Sequence, residues 1–183
     1  MTGFGNKMKT KESGKGKTPM DAALHYLSAR ARTVAEMELH LDKCQYGEFE
    51  TAQVVERLKE LRYLDDDAYA REFVRTRLAT KPISRRKLRE QLMTHKLPKE
   101  AIDAALGEVT DETEAENAAA VCEKFLRQFA SLPEEERKQR VMRRLFSHGY
   151  AYEAARAAMA AAGTEVEETE YASAGTQTEE DEL

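Results

Sequence analysis

Apolar residues recur at helical spacing along most of this chain, and no stretch alternates apolar and polar residues as a half-buried strand does. Alanine, leucine, glutamate, lysine and arginine dominate residues 19–162, where glycine and proline are rare. These five residue types have the highest intrinsic helix propensities. The pattern therefore predicts an all-α protein.

Oxygen-bearing side chains just before apolar runs mark where helices begin. An acceptor three residues before an acid, the spacing of a capping box, occurs at Thr18, Thr33, Asp111 and Ser131. Ser84 is a further N-cap candidate, and Pro98 marks another helix start. These boundaries predict nine helices at approximately 19–31, 33–43, 51–61, 66–80, 84–95, 98–108, 112–130, 134–147 and 151–161.

The nine predicted helices divide into three modules of three. Aligning Thr33, Ser84 and Arg137, at offsets of 51 and 53 residues, gives each middle helix the same apolar step of four residues. The aligned pairs are Met37 and Leu41, Leu88 and Leu92, and Val141 and Leu145. We expect the three aligned residues to start equivalent helices, and we expect these pairs to be buried. Tyr69 and Phe73, at core spacing, are also expected to be buried. The alternative is a chance coincidence of helical periods.

The alignment predicts five segments. They are a basic flexible tail at 1–18, modules at 19–64, 65–109 and 110–162, and an acidic disordered tail at 163–183. The last segment lacks any apolar period, which is typical of disorder. Such a tail either solubilises the chain or imitates a polyanion and binds partners.

The composition argues against a disulfide-dependent, membrane-spanning or secreted protein. A chain of 183 residues with 41% hydrophobic residues can form a core without disulfides. Its two cysteines form no CxxC pair, which fits a reducing compartment. No apolar run is long enough to span a bilayer, and no apolar segment follows the N-terminal lysines. We therefore expect a cytoplasmic protein without a membrane partner.

The net charge of −5 conceals a strongly uneven distribution. Residues 1–18 have a charge of +4 and residues 164–183 a charge of −8, whereas residues 71–99 have ten lysines and arginines against two acids. An acidic total therefore does not exclude a polyanionic partner. The predicted contact residues for a partner or nucleic acid are Arg75, Arg77, Lys81, Arg85, Arg86, Arg89, Lys96, Arg137, Arg140, Arg143 and Arg144.

Two interpretations of these basic residues stay open. At about 100° per residue, Arg85, Arg89 and Lys96 fall in one stripe beside the buried edge of their helix. Such a stripe suits nucleic-acid phosphate or an acidic groove on a partner protein. The alternative is a solvated helix face, balanced by the acids of residues 100–116.

Signals for catalysis and cofactors are weak. The segment Gly14–Thr18 resembles the end of a phosphate-binding loop, but Lys11 stands where the leading glycine belongs and no strand precedes it. The histidines and cysteines lack metal-ligand spacing, and no GxSxG motif occurs. We predict no catalytic residues, no cofactor and no metal.

The segment from Leu58 to Val74, with its Tyr-Leu-Asp-Asp turn at 63–66, resembles the hallmark stretch of the RecX family of bacterial recombination regulators. The segments 83–92 and 145–150 resemble the second and third modules of that family, so the resemblance covers about 22–161. The family commonly has glycine where Arg62 stands. The preceding helix must therefore end here without that glycine.

The resemblance implies three tandem three-helix repeats that form an elongated, curved array. It also implies a monomer that binds the RecA filament on single-stranded DNA and inhibits its ATPase and strand exchange. Binding of single-stranded and double-stranded DNA by the protein itself is implied as well. The alternative is a sequence-unspecific DNA-binding protein that competes for single strands, and an enzyme is the third possibility.

Overall fold

The computed structural model describes residues 18–164, and the expectations for both tails lie largely outside these residues. The described part of the chain has nine α-helices and no strand, which confirms the all-α prediction. The helices are α1 (Pro19–Leu27), α2 (Val34–Lys43), α3 (Glu48–Glu60), α4 (Asp66–Thr80), α5 (Arg85–Thr94), α6 (Lys99–Gly107), α7 (Asp111–Gln128), α8 (Glu134–Ser147) and α9 (Tyr152–Ala161).

The helices form three modules of three, and within each module all three helices pack against one another. Each module has its own apolar core. The expected pairs of the middle helices are fully buried: Met37 and Leu41 in α2, Leu88 and Leu92 in α5, and Val141 and Leu145 in α8. The chain divides between Asp65 and Asp66 into two compact units, the first with module 1 and the second with modules 2 and 3.

Three of the predicted N-caps are present. The side chains of Thr18, Thr33 and Ser84 accept the backbone N–H three residues ahead, at 3.1, 3.1 and 3.2 Å. The N-cap predicted at Asp111 is wrong, because Thr110 caps α7 and Asp111 is its first residue. There the carboxylate still favours the positive end of the helix dipole.

The predicted bounds of the eighth helix, 134–147, are confirmed, but the alignment that starts a middle helix at Arg137 is wrong. Helix α8 begins at Glu134, after Pro133 rather than after the predicted cap Ser131, and it has 14 residues where α5 has 10. Proline fixes a backbone angle compatible with helix entry, and the three glutamates that follow favour a helix N-terminus. Helix α8 therefore gains about one turn, and Arg137 lies inside it.

Two boundaries differ from the sequence expectation by three residues or more. Helix α1 ends at Leu27 instead of 31, because the chain needs the intervening residues to reach the Thr33 cap. Helix α3 begins at Glu48 instead of 51, where the Gly47 N–H donates to the Glu50 carboxylate at 3.1 Å.

The middle helices of all three modules end in the same way. The residues two positions beyond their last turn, Gln45, Lys96 and Gly149, have φ angles of 67°, 55° and 90°. This left-handed residue lets the chain leave the helix sharply. Arg62 has a φ of 57° after α3, so that helix also closes without glycine.

Tyr69 and Phe73 are half-buried, which corrects the prediction that they are buried. Both pack against the core of module 2 and contact the ring of His95, with centroid distances of 5.5 and 5.4 Å. The Tyr69 hydroxyl lies 3.3 Å from His95 Nδ1. Because its hydroxyl must reach a partner, the Tyr69 ring stays at the rim of the core.

Candidate functional site

Modules 2 and 3 meet where the start of α5 lies against the end of α8. The Ser84 hydroxyl, which is completely buried, donates to the His148 carbonyl at 2.7 Å while it caps α5. A Cβ atom built on Gly149 would lie 2.5 Å from that hydroxyl. We call this contact the module 2–3 seam, and it fixes the backbone at 148–149 against α5.

Arg85 ties this seam to the start of α7. Its guanidinium donates to the Val109 carbonyl, at 3.0 Å from Nε and 2.5 Å from Nη2, and to Asp111 at 2.7 Å. Its backbone N–H donates to the Glu114 carboxylate at 3.0 Å. Burial raises the pKa of Glu114, while the bond from Arg85 opposes that rise. The Arg85 side chain is therefore engaged in structural contacts.

The expected stripe on α5 is largely paired with acids or carbonyls. Arg89 lies 2.6 Å from Asp103, and Arg86 contacts the Phe146 carbonyl at 3.3 Å. Lys96 lies beyond the end of α5 in a left-handed conformation, so helical spacing does not place it above Arg89. Arg85, Arg86 and Arg89 do share one cleft between α5 and α6.

The other predicted contact residues fall into two groups. Arg75 pairs with Glu72 on α4, and Arg140 pairs with Glu136 on α8, so each pair lies on the exposed face of one helix. Such exposed pairs contribute little to stability. Arg77 lies 4.9 Å from the centre of the Phe73 ring.

Helix α8 places its remaining arginines differently. Arg137 is half-buried, and its Nε atom has no hydrogen-bond partner among residues 18–164. Arg143 is exposed, and Arg144 lies 5.7 Å from the centre of the Phe125 ring. No carboxylate in the described range forms an ion pair with Arg143 or Arg144.

A further concentration of positive charge lies around His148. A groove at the module 2–3 seam is lined by Lys81, Pro82, Ile83, Lys87, Gln91, Ser147 and His148. The His148 ring meets the Phe125 ring edge-on, with the ring centres 5.4 Å apart. Lys124 and Arg144 both lie 5.7 Å from the centre of the Phe125 ring. We call this site the His148 groove.

Electrostatics in the His148 groove follow from this crowding of cations. Burial lowers the pKa of His148, and the cations lower it further in the order Lys124, Arg144, Lys87 and Lys81. A neutral ring is therefore favoured while the groove is empty of anions. Binding of an anion would reverse the charge effect and favour the protonated ring.

Sequence reasoning named Lys81 and Arg144 as contact residues, whereas it missed Lys124 and His148. Lys124 stands apart from the basic run at 71–99, and only the packing of α7 against α8 brings it near His148. The segment 145–150 had a family resemblance, but nothing in its sequence indicated the charges around His148.

Residues 18–164 also bear on other classes of site. No group of three or more His, Cys, Asp or Glu side chains there could hold a metal ion. Within the same range no helix has both the length and the apolarity to cross a membrane. The thiol of Cys122 is buried 3.4 Å from the Met159 sulfur, and burial raises its pKa to about 11. This thiol is therefore poorly suited to act as a nucleophile.

Comparison with protein families gives three matches, one to each module. The first, second and third three-helix domains of RecX match residues 20–58, 65–106 and 112–159. Together these matches span more than half of the chain.

Individual relatives agree with the family matches. The regulatory protein RecX of Chlorobaculum tepidum is 35% identical over 128 residues, which cover 70% of this chain and 78% of the relative. That of Limosilactobacillus reuteri is 31% identical over 127 residues, which cover 69% of this chain and 48% of the relative. The chain thus spans about half the length of several curated relatives that it matches.

Two solved structures have the same fold. A crystal structure of RecX from Lactobacillus salivarius has a TM-score of 0.74 at 22% identity, covering 78% of this chain and 93% of that one. A crystal structure of a regulatory protein RecX has a TM-score of 0.69 at 28% identity, covering 74% of this chain and 68% of that one. The tandem arrangement of three-helix repeats is therefore shared.

Proposed function

This chain belongs to the RecX family, and from that premise we propose that it regulates homologous recombination by binding the RecA filament on single-stranded DNA. In this proposal the protein is a cytoplasmic monomer that slows the filament's ATPase and strand exchange. The observation that supports it most is that all three RecX domains match, one to each module.

The surface of modules 2 and 3 suits a negatively charged partner. Lys81, Lys124, Arg143 and Arg144 have no ion pair with a carboxylate among residues 18–164. Unpaired cations attract phosphate with release of counterions, and arginine also suits carboxylates on a protein surface. Arg85 and Arg89, which pair with Asp111 and Asp103, would contribute less than their place in the basic run indicates.

Inhibition of this kind needs no active site. A protein that occupies the filament can obstruct strand exchange by its presence, and contacts from several modules add through effective concentration. The regulator would therefore act in proportion to its occupancy rather than by turnover.

A second candidate function is sequence-unspecific binding of single-stranded DNA, which the unpaired cations also favour. The test measures RecA ATPase on preformed filaments when recombinase covers all of the DNA. The proposed regulator lowers this rate at concentrations comparable to the filament, whereas a competitor for free strand leaves it unchanged. A pull-down of RecA with and without single-stranded DNA then shows whether the protein recognises the filament or the free recombinase.

A further inference from the structure

Four chain segments place positive charge near the His148 ring, and two of these cations, Lys81 and Lys87, line the His148 groove itself. Lys81 follows α4, Lys87 is in α5, Lys124 is in α7 and Arg144 is in α8. Within residues 18–164, Lys87 alone of the four pairs with a carboxylate, at 2.6 Å from Glu90. The site thus gathers cations from two modules around one concave surface without an equal number of acids.

The module 2–3 seam holds this arrangement in place. Ser84 bonds the carbonyl of His148, and Gly149 packs too closely on Ser84 to admit a side chain. The cations of module 2 therefore stay opposite those of module 3. A site whose charges are positioned before the ligand arrives loses less entropy when it binds.

The geometry points to a phosphate group of a nucleic-acid strand as the ligand of the His148 groove. Lysine ammonium groups act as compact point charges and can approach different oxygens of a tetrahedral anion from different directions. A planar carboxylate is matched best by the fork of a single arginine, whereas the cations that line this groove are Lys81 and Lys87, with Lys124 and Arg144 beside the adjoining Phe125 ring. This inference rests on the proposed function in one respect: the strand that supplies the phosphate is the single-stranded DNA of the filament.

Proton uptake gives the site a measurable signature. Lys124, Arg144, Lys87 and Lys81 all disfavour the protonated His148 ring, and Glu90 pairs with Lys87 at 2.6 Å. A bound phosphate offsets these charges, so protonation of the ring and binding of phosphate favour each other. Affinity for DNA should therefore rise as the pH falls from 8 to 6.

The first experiment titrates the full chain with a short single-stranded oligonucleotide and follows the His148 ring by NMR. We expect the oligonucleotide to move the His148 signals and to raise the pKa of the ring. An octaglutamate peptide is the competing probe. If the peptide moves these signals as strongly and displaces the oligonucleotide, the groove is a docking site for acidic protein and the inference is wrong. An oligonucleotide that binds without affecting His148 contradicts it as well.

The second experiment compares two triple variants that lose the same charge from the same compact unit. The test variant combines Lys81→Gln, Lys124→Gln and Arg144→Gln. The control combines Arg71→Gln, Lys99→Gln and Arg127→Gln, which neither line the groove nor act on His148.

The two variants should differ in both affinity and salt dependence. We expect the test variant to lose about tenfold or more in oligonucleotide affinity, and the log–log salt slope to fall by about 0.7 for each phosphate released. The control should lose about threefold or less and keep its slope. Equal losses would mean that affinity follows net charge alone and would overturn the proposal.

Two readouts keep this result separate from the proposed function. Circular dichroism identifies a variant that fails to fold, and the wild-type titration of His148 then decides the matter without any variant. RecA ATPase on preformed filaments is measured on the wild type without reference to the groove. A wild type that binds oligonucleotide through His148 but leaves the ATPase unchanged refutes the regulatory role and keeps the phosphate site.

Discussion

Replacing Ser84 by alanine tests how strongly the two modules are coupled. One hydroxyl accepts the Lys87 N–H as the cap of α5 and donates to the His148 carbonyl across the seam. Because Ser84 is completely buried, water cannot take over both bonds without opening the seam.

The expected loss follows from these two bonds. Loss of an N-cap costs about 1 kcal/mol. Leaving a shielded carbonyl without its donor costs about 1–3 kcal/mol. Ser84→Ala should therefore lower the free energy of unfolding by about 2–4 kcal/mol.

Thr110→Ala is the matched control, because Thr110 caps α7 in the same compact unit and is exposed. It should cost about 1 kcal/mol. Urea unfolding followed by circular dichroism measures both variants, and hydrogen exchange reports the Lys87 amide. If Ser84→Ala costs no more than Thr110→Ala, the bond to His148 adds nothing and the seam is not a stabilising contact.

Three further predictions concern the same unit and the tail. Gly149→Ala should lower the melting temperature well beyond Gly163→Ala, since both glycines have positive φ but only the first meets another side chain; equal shifts would leave backbone strain as the whole effect. Arg85→Ala should destabilise by about 1–3 kcal/mol through its lost carbonyl bond, whereas Arg89→Ala, with an exposed pair, should stay within about 0.5 kcal/mol in the same urea assay. Deleting residues 164–183, which have a charge of −8, should strengthen DNA binding most at low salt; equal affinities in titrations there would mean that the tail only solubilises.

The helical framework was predictable because local signals specify it. The apolar step of four residues placed Leu88 and Val141 in their cores, and the oxygens of Thr33 and Ser84 identified two helix starts. Each of these signals acts within one helix, so a single sequence contains it.

The predicted bounds of α8, 134–147, are confirmed, whereas the cap predicted at Ser131 and the alignment at Arg137 are wrong. Ser131 has the spacing of a capping box, but Pro133 and the glutamates that follow it determine the actual start. The aligned position of Arg137 then falls inside the helix. Periodicity alone cannot locate a helix end, because an added turn keeps the same apolar face.

The candidate site was predicted only in part, and the reason differs from that for α8. Lys81 and Arg144 were among the predicted contacts, while Lys124 and His148 join them only through packing between helices. Conversely, Arg85 was a predicted contact residue, but it pairs with Asp111, as the alternative of a balanced helix face had it, and is bonded to a carbonyl 24 residues away. Tertiary contacts of this kind leave no trace in local spacing.

The three left-handed turns also bear on whether the modules are interchangeable. All three share one backbone conformation, yet Gln45 and Lys96 are exposed and only Gly149 is buried under a neighbouring module. The glycine is therefore required by the docked neighbour and not by the turn. A chimaera that placed the turn of module 1 or 2 at position 149 would keep every helix and fail to close the seam. In such a tandem protein, the position of a single glycine therefore determines the order in which otherwise similar modules can be joined.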